Sequence, residues 1–513
     1  MSSNPSPSLA ALLSFVFPGA GQIYAGDVRK GVVWVLPMLL FIVAVLVLLL
    51  GGQAAITALA TAEKTLALIL INVAFFLYHV AAMIDAYYVA RRERVPRYAN
   101  AGLAPIVLAS LVAITIILHG LPGVYALQYY NFLLVSAPGR PDVIPSFDAG
   151  TPMPTQSPTI TPSPIATPSA TPGTSTASPD GSGTPSPDET PRVCPPIDLG
   201  SWAMAHDGRV NLLLVGSDSR SDEGVGEASL RTDSMMLLSI DIATCKSALF
   251  SFPRNLKESG GDSRYPTWFR IPLENGQNYP GFLFGLWRDA ATSPAAYPGS
   301  EGIGAECQHQ FDCVRGWRAL TGAIQNMAGV QVDGVVAVNL KGFVDVVDNL
   351  PGGGIWIDVP SPLRDDNYFN SKQQKMRVNF QRGCQFMNGE EALAYARSRH
   401  QDSDYQRARR QQYVLQQVRK QLDPLALLPH IPALLQVAQA NLFMTISDDD
   451  IPFLAQVGAR VDADRMYRYD FAPARLTRLG SMQGLRDKVN SIFDEPEPKP
   501  TTRPNQEPCP PRD

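Results

Sequence analysis

The chain has 513 residues, more than one ordinary domain needs and enough for two folded regions with linkers. Its formal net charge is −4, so the charge balance gives no support to a nucleic-acid partner. Charged residues make up 18% and hydrophobic residues 45%, but these averages combine three unlike segments. Residues 9–135 are apolar, residues 136–193 are rich in Pro, Ser and Thr, and residues 200–492 resemble a globular domain in composition.

Three apolar segments near the N-terminus are long enough to cross a bilayer, which takes about 20 mostly apolar residues. They are residues 31–50, 65–89 and 103–121. A fourth segment, residues 9–20, is shorter and could be a short span, a re-entrant piece or an interfacial helix. It lacks the basic start and the cleavage site of a signal peptide. We therefore expect a membrane module of three or four helices.

The basic residues predict how this module is oriented. Arg29 and Lys30 precede the first long span, and four arginines lie at positions 91–97, whereas residues 51–64 contain only Lys64. Loops rich in Lys and Arg stay in the cytoplasm. The sequence therefore predicts that the chain leaves the cytoplasm through its third span and that everything after it is extracytoplasmic.

The segment that follows cannot form a packed core, because it is rich in Pro, Ser and Thr and poor in aromatic residues. We expect an extended tether between the membrane and the globular domain. The predicted organisation is a membrane module at 1–135, an extracytoplasmic linker at 136–199, an α/β catalytic domain at 200–492 and a disordered Pro-rich tail at 493–513.

Six cysteines all follow the last apolar span, as expected for a domain in an oxidising compartment. Because no CxxC pair occurs, disulfides are favoured over a zinc site, with scattered free thiols as the alternative. Six cysteines allow fifteen pairings, so the sequence does not give the connectivity. Cys307 and Cys313 are the favoured pair because they are close together in a loop-like segment.

The globular domain begins with apolar runs that predict buried strands, each bordered by charged residues. The predicted strands are residues 211–215, 235–242, 248–252 and 335–338, and the predicted helices are residues 340–349, 388–399 and about 404–421. Ligands of α/β sheets bind at strand ends. The charged residues at these ends are therefore candidate ligand-binding residues.

Arginines are concentrated at these ends and at the start of the last helix, where Asp404, Arg407, Arg410 and Gln411 share one face. A single such arginine is more often a solvated residue or part of a plain salt bridge. Arginines at a helix start oppose the helix dipole and are favourable if an anion binds there. A wider group of arginines at strand and helix ends, converging with two carboxylates, is costly without an anion and a cation to balance it. The group comprises Arg220, Arg231, Arg254, Arg397, Arg399, Arg407 and Arg410, with Asp218 and Asp233 among them.

Five ordered segments closely resemble the successive motifs of LytR–CpsA–Psr proteins. They are residues 211–220, 231–240, 252–254, 389–399 and 404–411, and the resemblance covers roughly residues 205–425. It implies an α/β domain with a central mixed sheet flanked by helices, following the N-terminal transmembrane helices. It also implies an apolar cleft that binds a polyprenyl (pyro)phosphate.

The resemblance further implies roles for individual residues. Asp218 and Asp233 match metal and acid positions, so Mg²⁺ (or Mn²⁺) is the expected cofactor, and Asp233, Arg231 and Asp218 are the expected catalytic residues. Arg231, Arg254, Arg397, Arg407 and Arg410 match phosphate-binding arginines, whereas Arg220, Arg399 and Gln411 match more loosely. One departure is Asn255, because the family usually has an acid after the Pro-Arg pair.

The implied activity is that of a phosphotransferase in the bacterial cytoplasmic membrane, which moves a glycopolymer from a polyprenyl (pyro)phosphate carrier onto a peptidoglycan hydroxyl. Guanidinium groups and Mg²⁺ neutralise the charge that develops in phosphoryl transfer. Two alternatives are a polyprenyl pyrophosphate phosphatase and a non-catalytic regulator that binds lipid phosphates. An intact set of acids and arginines favours an enzyme, because binding alone does not need two aligned acids.

Overall fold

The structure is a computed structural model, and its helices and strands are numbered here in chain order. It describes residues 5–51, 61–92, 103–136, 143–145, 208–218, 231–257, 264–293, 297, 313–398, 404–422, 424–498 and 509.

The membrane module consists of α1 (Pro7–Val16), α2 (Ala20–Tyr24), α3 (Val28–Leu50), α4 (Ala62–Arg92) and α5 (Ala104–Ser136). The last three are long and apolar enough to cross a membrane, which confirms the three predicted spans. Helix α1 packs against α4 and α5, so the short apolar segment belongs to the module. Helix α5 continues well past residue 121, where the prediction ended it, because it runs through Pro122 into further apolar residues.

The globular domain is built on a six-stranded mixed sheet with the order β10-β3-β2-β1-β4-β9. Strand β1 pairs antiparallel with β2 and parallel with β4, and β3 pairs antiparallel with β2. The C-terminal ends of β1, β3 and β4 and the start of β2 therefore lie at the same end of the sheet. The strands are β1 (Arg209–Ser217), β2 (Thr232–Asp241), β3 (Ser247–Phe252), β4 (Gly334–Val338), β9 (Leu442–Met444) and β10 (Tyr467–Asp470).

Two small antiparallel sheets, β5–β8 and β6–β7, lie beside the helices that follow them. Their strands are β5 (Ile355–Val359), β6 (Leu363–Phe369), β7 (Lys375–Phe380) and β8 (Gly383–Met387). The helices of the domain are α6 (Leu286–Thr292), α7 (Val314–Ala328), α8 (Leu340–Asp348), α9 (Gly389–Arg397), α10 (Asp404–Gln421), α11 (Pro424–Leu427), α12 (Ile431–Asn441), α13 (Ile451–Arg460), α14 (Pro473–Leu479) and α15 (Met482–Asn490).

The main core lies between the sheet and helices α6 and α7. Leu213 and Val215 alternate along β1 and pack into it, together with the fully buried Trp287 and Trp317. Burial of such large apolar side chains is the main favourable contribution to folding. The opposite face of the sheet is left for the cavity and the helices described below.

Local sequence signals fix the two helices that border the site. Helix α9 begins with a capping box, in which Asn388 and Glu391 each accept a hydrogen bond from the other's backbone N–H. Gly389 lies so close to α8 that an added Cβ would meet the Val344 carbonyl oxygen at 2.3 Å. The absence of a side chain at position 389 therefore allows α9 to start directly against α8.

One disulfide joins strand β8 to the end of the chain, between Cys384 and Cys509. Cys245 and Cys313 are also disulfide-bonded. The expected partner of Cys313, Cys307, lies outside the described residues. The chain end was predicted to be disordered, and Cys509 anchors it at one point.

The predicted fold class is confirmed: N-terminal transmembrane-length helices precede an α/β domain with a central mixed sheet and flanking helices. The four strands predicted from apolar runs all belong to the central sheet.

Candidate active site

The candidate site lies at the end of the sheet where the C-terminal ends of β1, β3 and β4 meet the start of β2. Asp218 follows β1, Arg231 and Asp233 lie at the start of β2, and Arg254 follows β3. Arg397 is the last residue of α9. The topology therefore brings these five residues, predicted separately from the sequence, to one place.

Asp233 is the electrostatic centre of the site. It is buried, forms a salt bridge with Arg254, and its second carboxylate oxygen lies 3.8 Å from the Arg397 guanidinium. Two cations thus face one carboxylate in a region largely shielded from water. Because a buried charge is costly unless it is paired, the excess positive charge favours an additional anion.

Asp218 lies at the same end of the sheet, directly after β1, and is held there by Arg231. Its backbone N–H donates to the Arg231 carbonyl oxygen (3.1 Å), and its carboxylate accepts a hydrogen bond from the Arg231 N–H (2.7 Å). Burial and the neighbouring Asp233 charge raise the pKa of Asp218 to about 6, although Arg231 and Arg397 oppose the shift. Two carboxylates close enough to disfavour joint ionisation form a site that a cation would stabilise.

Asp218 and Asp233 are chemically suited to hold the expected Mg²⁺. Within the described ranges no group of three or more His, Cys, Asp or Glu side chains converges on one point. Mg²⁺ does not need one, because it is usually held by one or two carboxylates together with phosphate oxygens and water. Asp218 and Asp233 meet that requirement.

An aromatic ring supports two of the arginines. The Arg254 guanidinium carbon lies 5.0 Å and that of Arg231 5.7 Å from the centre of the Phe284 ring, and Phe282 stacks on Phe284. A cation over an aromatic face is attracted by the ring's electrons. Sequence reasoning did not identify Phe284, and the aromatic pair at positions 282 and 284 is the signal that could have suggested it.

Tyr368 is a second residue that sequence reasoning did not identify. It is buried on β6, and burial raises its pKa to about 12 against the opposing charge of Arg397. Its hydroxyl therefore stays protonated at neutral pH beside that arginine. Nothing in the pattern around residue 368 distinguishes it from an ordinary strand aromatic.

A cavity of about 280 Å³ extends from this end of the sheet along one of its faces. Its lining includes the polar residues Ser217, Asp233, Ser234, Asn339, Arg397 and Gln411. Most of the lining is apolar and comes from the strands and from α8, α9 and α10, including Leu214, Met236, Val336, Val338, Phe343, Val347, Leu393, Val414, Leu415, Val418 and Leu442. The cavity therefore suits a ligand with an anionic end and a long apolar body.

Arg407, Arg410 and Gln411 of helix α10, which the sequence predicts on one ligand-binding face, have different surroundings in the structure. Gln411 lines the cavity, and Arg407 is buried with 3% of its surface exposed. Arg410 contacts the end of α9, where its guanidinium donates to the Tyr395 carbonyl oxygen (2.9 Å) and to that of Ser398. Phosphate binding by Arg407 and Arg410 stays a prediction.

Of the other residues that the family resemblance singles out, only Asn255 lies within the described ranges. Arg220 and Arg399 lie outside the described residues. Asn255 follows Arg254, and its backbone carbonyl oxygen accepts a hydrogen bond from the Tyr265 hydroxyl (2.6 Å). This bond fixes the turn after β3 whatever side chain stands at position 255.

Comparison with known proteins places the domain in a family. The model of the LytR_cpsA_psr family matches residues 180–263 and 295–473, more than half of the chain.

Several curated proteins resemble the chain, and two of them illustrate the extent of the match. An uncharacterized protein of Staphylococcus aureus is 28% identical over 171 residues, which are 33% of this chain and 38% of the relative. The second is the polyisoprenyl-teichoic acid–peptidoglycan teichoic acid transferase TagT of Bacillus subtilis. It is 26% identical over 268 residues, 52% of this chain and 69% of the relative. The chain thus spans little more than a third of the first relative and about two thirds of the second.

Among solved structures, the crystal structure of B. subtilis TagV is 18% identical, with a TM-score of 0.37. It covers 56% of this chain and 98% of that chain. The family match and the order of the site residues along the chain agree with each other. The chain belongs to the LytR_cpsA_psr family.

Proposed function

We propose that this protein is a phosphotransferase that moves a glycopolymer from a polyprenyl pyrophosphate carrier onto a peptidoglycan hydroxyl. The observation that carries the proposal is the continuity between the apolar cavity and the cluster of Asp233, Arg254 and Arg397. A carrier of this class has a long hydrocarbon chain attached to a highly charged pyrophosphate. The two parts of the site match the two parts of the carrier.

The arginines supply the charge that phosphoryl transfer requires. The Nε atom of Arg254 is buried and has no hydrogen-bond partner among the described residues. A buried donor without a partner costs stability, and a phosphate oxygen would satisfy it. Guanidinium groups also bind phosphate oxygens in pairs, which orients the group for attack.

The proposed reaction exchanges one phosphorus–oxygen bond for another. The acceptor hydroxyl oxygen attacks the phosphorus next to the sugar, and the bond from that phosphorus to the bridging oxygen breaks. The carrier leaves as polyprenyl monophosphate, and the hydroxyl proton passes to a carboxylate of the Asp218–Asp233 pair. A Mg²⁺ ion held by these two residues would neutralise phosphate charge while the chain's arginines orient the group.

The family and its relatives support the same reaction class. The B. subtilis relative is named for transfer of teichoic acid from a polyisoprenyl carrier to peptidoglycan. We extend to this chain the general form of that reaction, with the glycopolymer left open. The carrier and the acceptor both lie outside the cytoplasm, in agreement with the orientation expected from the basic residues.

The test is a transfer assay with the full chain in liposomes. The liposomes contain a polyprenyl-pyrophosphate-linked glycopolymer labelled in its sugar, and peptidoglycan is added outside. We expect the wild type to make the label sediment with peptidoglycan, and Asp233→Asn and Arg254→Ala each to reduce the rate about 100-fold, as for a lost transition-state contact.

The exposed pair Arg364–Asp366 provides matched controls, because its members are 63% and 43% exposed. Arg364→Ala and Asp366→Asn should transfer the label at the wild-type rate. Wild-type rates in Asp233→Asn and Arg254→Ala would show that the reaction takes place elsewhere, and no transfer by the wild type would refute the proposed function.

A further inference from the structure

Helix α5 of the membrane module is longer than the hydrocarbon core of a bilayer is thick, and it ends against the globular domain. Helix α5 has 33 residues. At 1.5 Å per residue it is about 50 Å long, whereas the hydrocarbon core is about 30 Å thick. Roughly 13 residues of α5 therefore extend past the hydrocarbon, and the last of them contact the globular domain.

One face of this extension is buried against the sheet. Leu133 is only 1% exposed, and Tyr129 and Phe132 pack against the same apolar cluster. The next two residues, Leu134 and Val135, are 53% and 61% exposed. The contact therefore selects one side of the helix, as a specific packing surface does.

The start of α4 contacts the same part of the domain. Its Ala62 packs against the same cluster, and the Ala62 N–H donates to the Asp448 carboxylate (2.8 Å). Consecutive helices that cross a bilayer in opposite directions bring the start of one beside the end of the next. The domain thus rests on both members of the pair.

Apolar residues of β1, β2 and β4 connect the buried cluster to the cavity. Leu212 and Leu238 are paired on β1 and β2 and pack against the cluster. Two residues further along the same strands, the paired Leu214 and Met236 line the cavity. Residues two apart on a strand share a face of the sheet. Val336 belongs to both the cluster and the cavity lining.

The cavity also reaches the edge of the sheet that α5 contacts. Its lining extends from Asp233 on β2 across to Leu442 at the start of edge strand β9. Helix α5 contacts β9, and α12, which immediately precedes β9, packs against both α5 and α8. The apolar end of the cavity is therefore adjacent to a helix that comes directly out of the membrane.

We propose that the domain-side ends of α4 and α5 seat the globular domain on the membrane, and that the carrier's hydrocarbon chain passes from the bilayer into the cavity along α5 and α12. The inference rests on the proposed function for the identity of the lipid. It assigns the multi-helix module a role beyond anchoring. This contact between the domain and α4 and α5, called the seat below, lets the long apolar chain enter the cavity without passing through water. Exposure of the chain to water costs roughly 0.8 kcal/mol per CH₂ group.

The test compares two substrates and two neighbouring substitutions in the full chain. One substrate is a long-chain carrier in liposomes, and the other is a water-soluble geranyl pyrophosphate-linked saccharide. Leu133→Gln should reduce turnover of the long-chain carrier at least tenfold and leave the soluble substrate unaffected. Leu134→Gln, the matched control on the exposed face, should leave both rates unchanged.

A cross-link tests the seat without any turnover. With Ala62→Cys and Asp448→Cys, a short bifunctional thiol reagent should join the two positions in high yield in liposomes. The joined protein should keep its rate on the long-chain carrier. Leu133→Gln introduced into this double variant should lower the cross-linking yield.

The outcomes separate this inference from the proposed function. A Leu133→Gln rate on the long-chain carrier equal to that of the wild type, an equal loss on both substrates, or a cross-link that abolishes turnover would overturn the seat. Failure of the wild type on both substrates, together with a high cross-linking yield, would instead refute the proposed function while the seat stands.

Discussion

Asp218 is the residue whose titration bears most directly on the site. Burial, and then the Asp233 charge, raise its pKa to about 6. Below that pH a proton occupies the carboxylate, and above it the carboxylate is available as a ligand. Because metal binding competes with the proton, we expect the affinity for Mg²⁺ in the presence of a soluble pyrophosphate to be about tenfold weaker at pH 5 than at pH 8.

Calorimetric titration of the full chain in nanodiscs at the two pH values measures this difference. The ratio for Asp366→Asn should match that of the wild type, since Asp366 is exposed and belongs to a different ion pair. Asp218→Asn should bind weakly at both pH values. Equal wild-type affinities at pH 5 and pH 8 would remove Asp218 from the metal site.

Phe284 gives a second prediction at the residue scale. Its ring lies under the guanidinium groups of Arg231 and Arg254, an arrangement worth about 0.5–2 kcal/mol. Phe284→Ala should weaken binding of geranyl pyrophosphate about twofold to thirtyfold. Phe386→Ala is the control, because Phe386 is 41% exposed and packs on Trp356. Unchanged affinity in Phe284→Ala would show that the ring does not support the arginines.

The sequence predicts Asp218, Asp233 and Arg254 beside the ends of strong apolar strands, and the structure places them there, whereas their roles stay predictions. Sequence reasoning did not identify Phe284, because this residue reaches the site through a long connection with no periodic pattern. Contacts of this kind depend on how the chain returns to the sheet, which local sequence does not encode.

At the scale of elements, Arg410 links two helices. Its guanidinium donates to the carbonyl oxygens of Tyr395 and Ser398 at the end of α9, one residue from Arg397 and at the C-terminal end of the helix dipole. Arg410→Ala should therefore lower the free energy of unfolding by about 1–3 kcal/mol. Arg410→Lys should lose less stability than Arg410→Ala, because lysine keeps the charge. It should not reach the wild-type stability, because lysine cannot reproduce the planar fork of the guanidinium.

Denaturation by urea, monitored for the globular domain within the full chain, measures this effect. Arg364→Ala is the control, because Arg364 is 63% exposed. Wild-type stability of Arg410→Ala combined with a large loss of pyrophosphate affinity would show that Arg410 acts on the ligand alone.

The elements with strong periodicity were predicted within a few residues, for example α8 and α9. The small sheets and the edge strands β9 and β10 were not predicted. Strand β9 has three residues, too few for an alternating pattern to stand out. The length of α5 was underestimated because Pro122 resembles a helix end, whereas the apolar residues beyond it continue the helix.

For the whole molecule, the basic residues predict an orientation that fusion proteins can test. Alkaline phosphatase is active only when exported, so a fusion after Gly150 should be active and a fusion after Arg94 inactive. Immunoblots should show comparable amounts of both. The reverse pattern would place the globular domain in the cytoplasm and contradict the proposed function.

The order of the segments could be predicted from composition alone, since apolar, Pro-rich and globular sequences differ so clearly. The seating of the domain on α4 and α5 could not. It depends on Leu133 meeting a sheet face whose residues lie at least 77 positions further along the chain, beginning with Val210. A Pro-rich connection suggested a freely tethered domain, and the packing against α5 gives it a definite position.

Following the two phosphate groups of the carrier separately tests the proposed phosphoryl transfer. A carrier labelled with ³²P at the phosphate next to the sugar is incubated with the full chain and peptidoglycan, and the products are separated. We expect the label to end on peptidoglycan in step with the glycopolymer, and unlabelled polyprenyl monophosphate to be released. Label recovered on soluble glycopolymer would indicate hydrolysis, and label retained by the lipid would indicate that the sugar bond breaks. Either result would contradict phosphoryl transfer to peptidoglycan at this site.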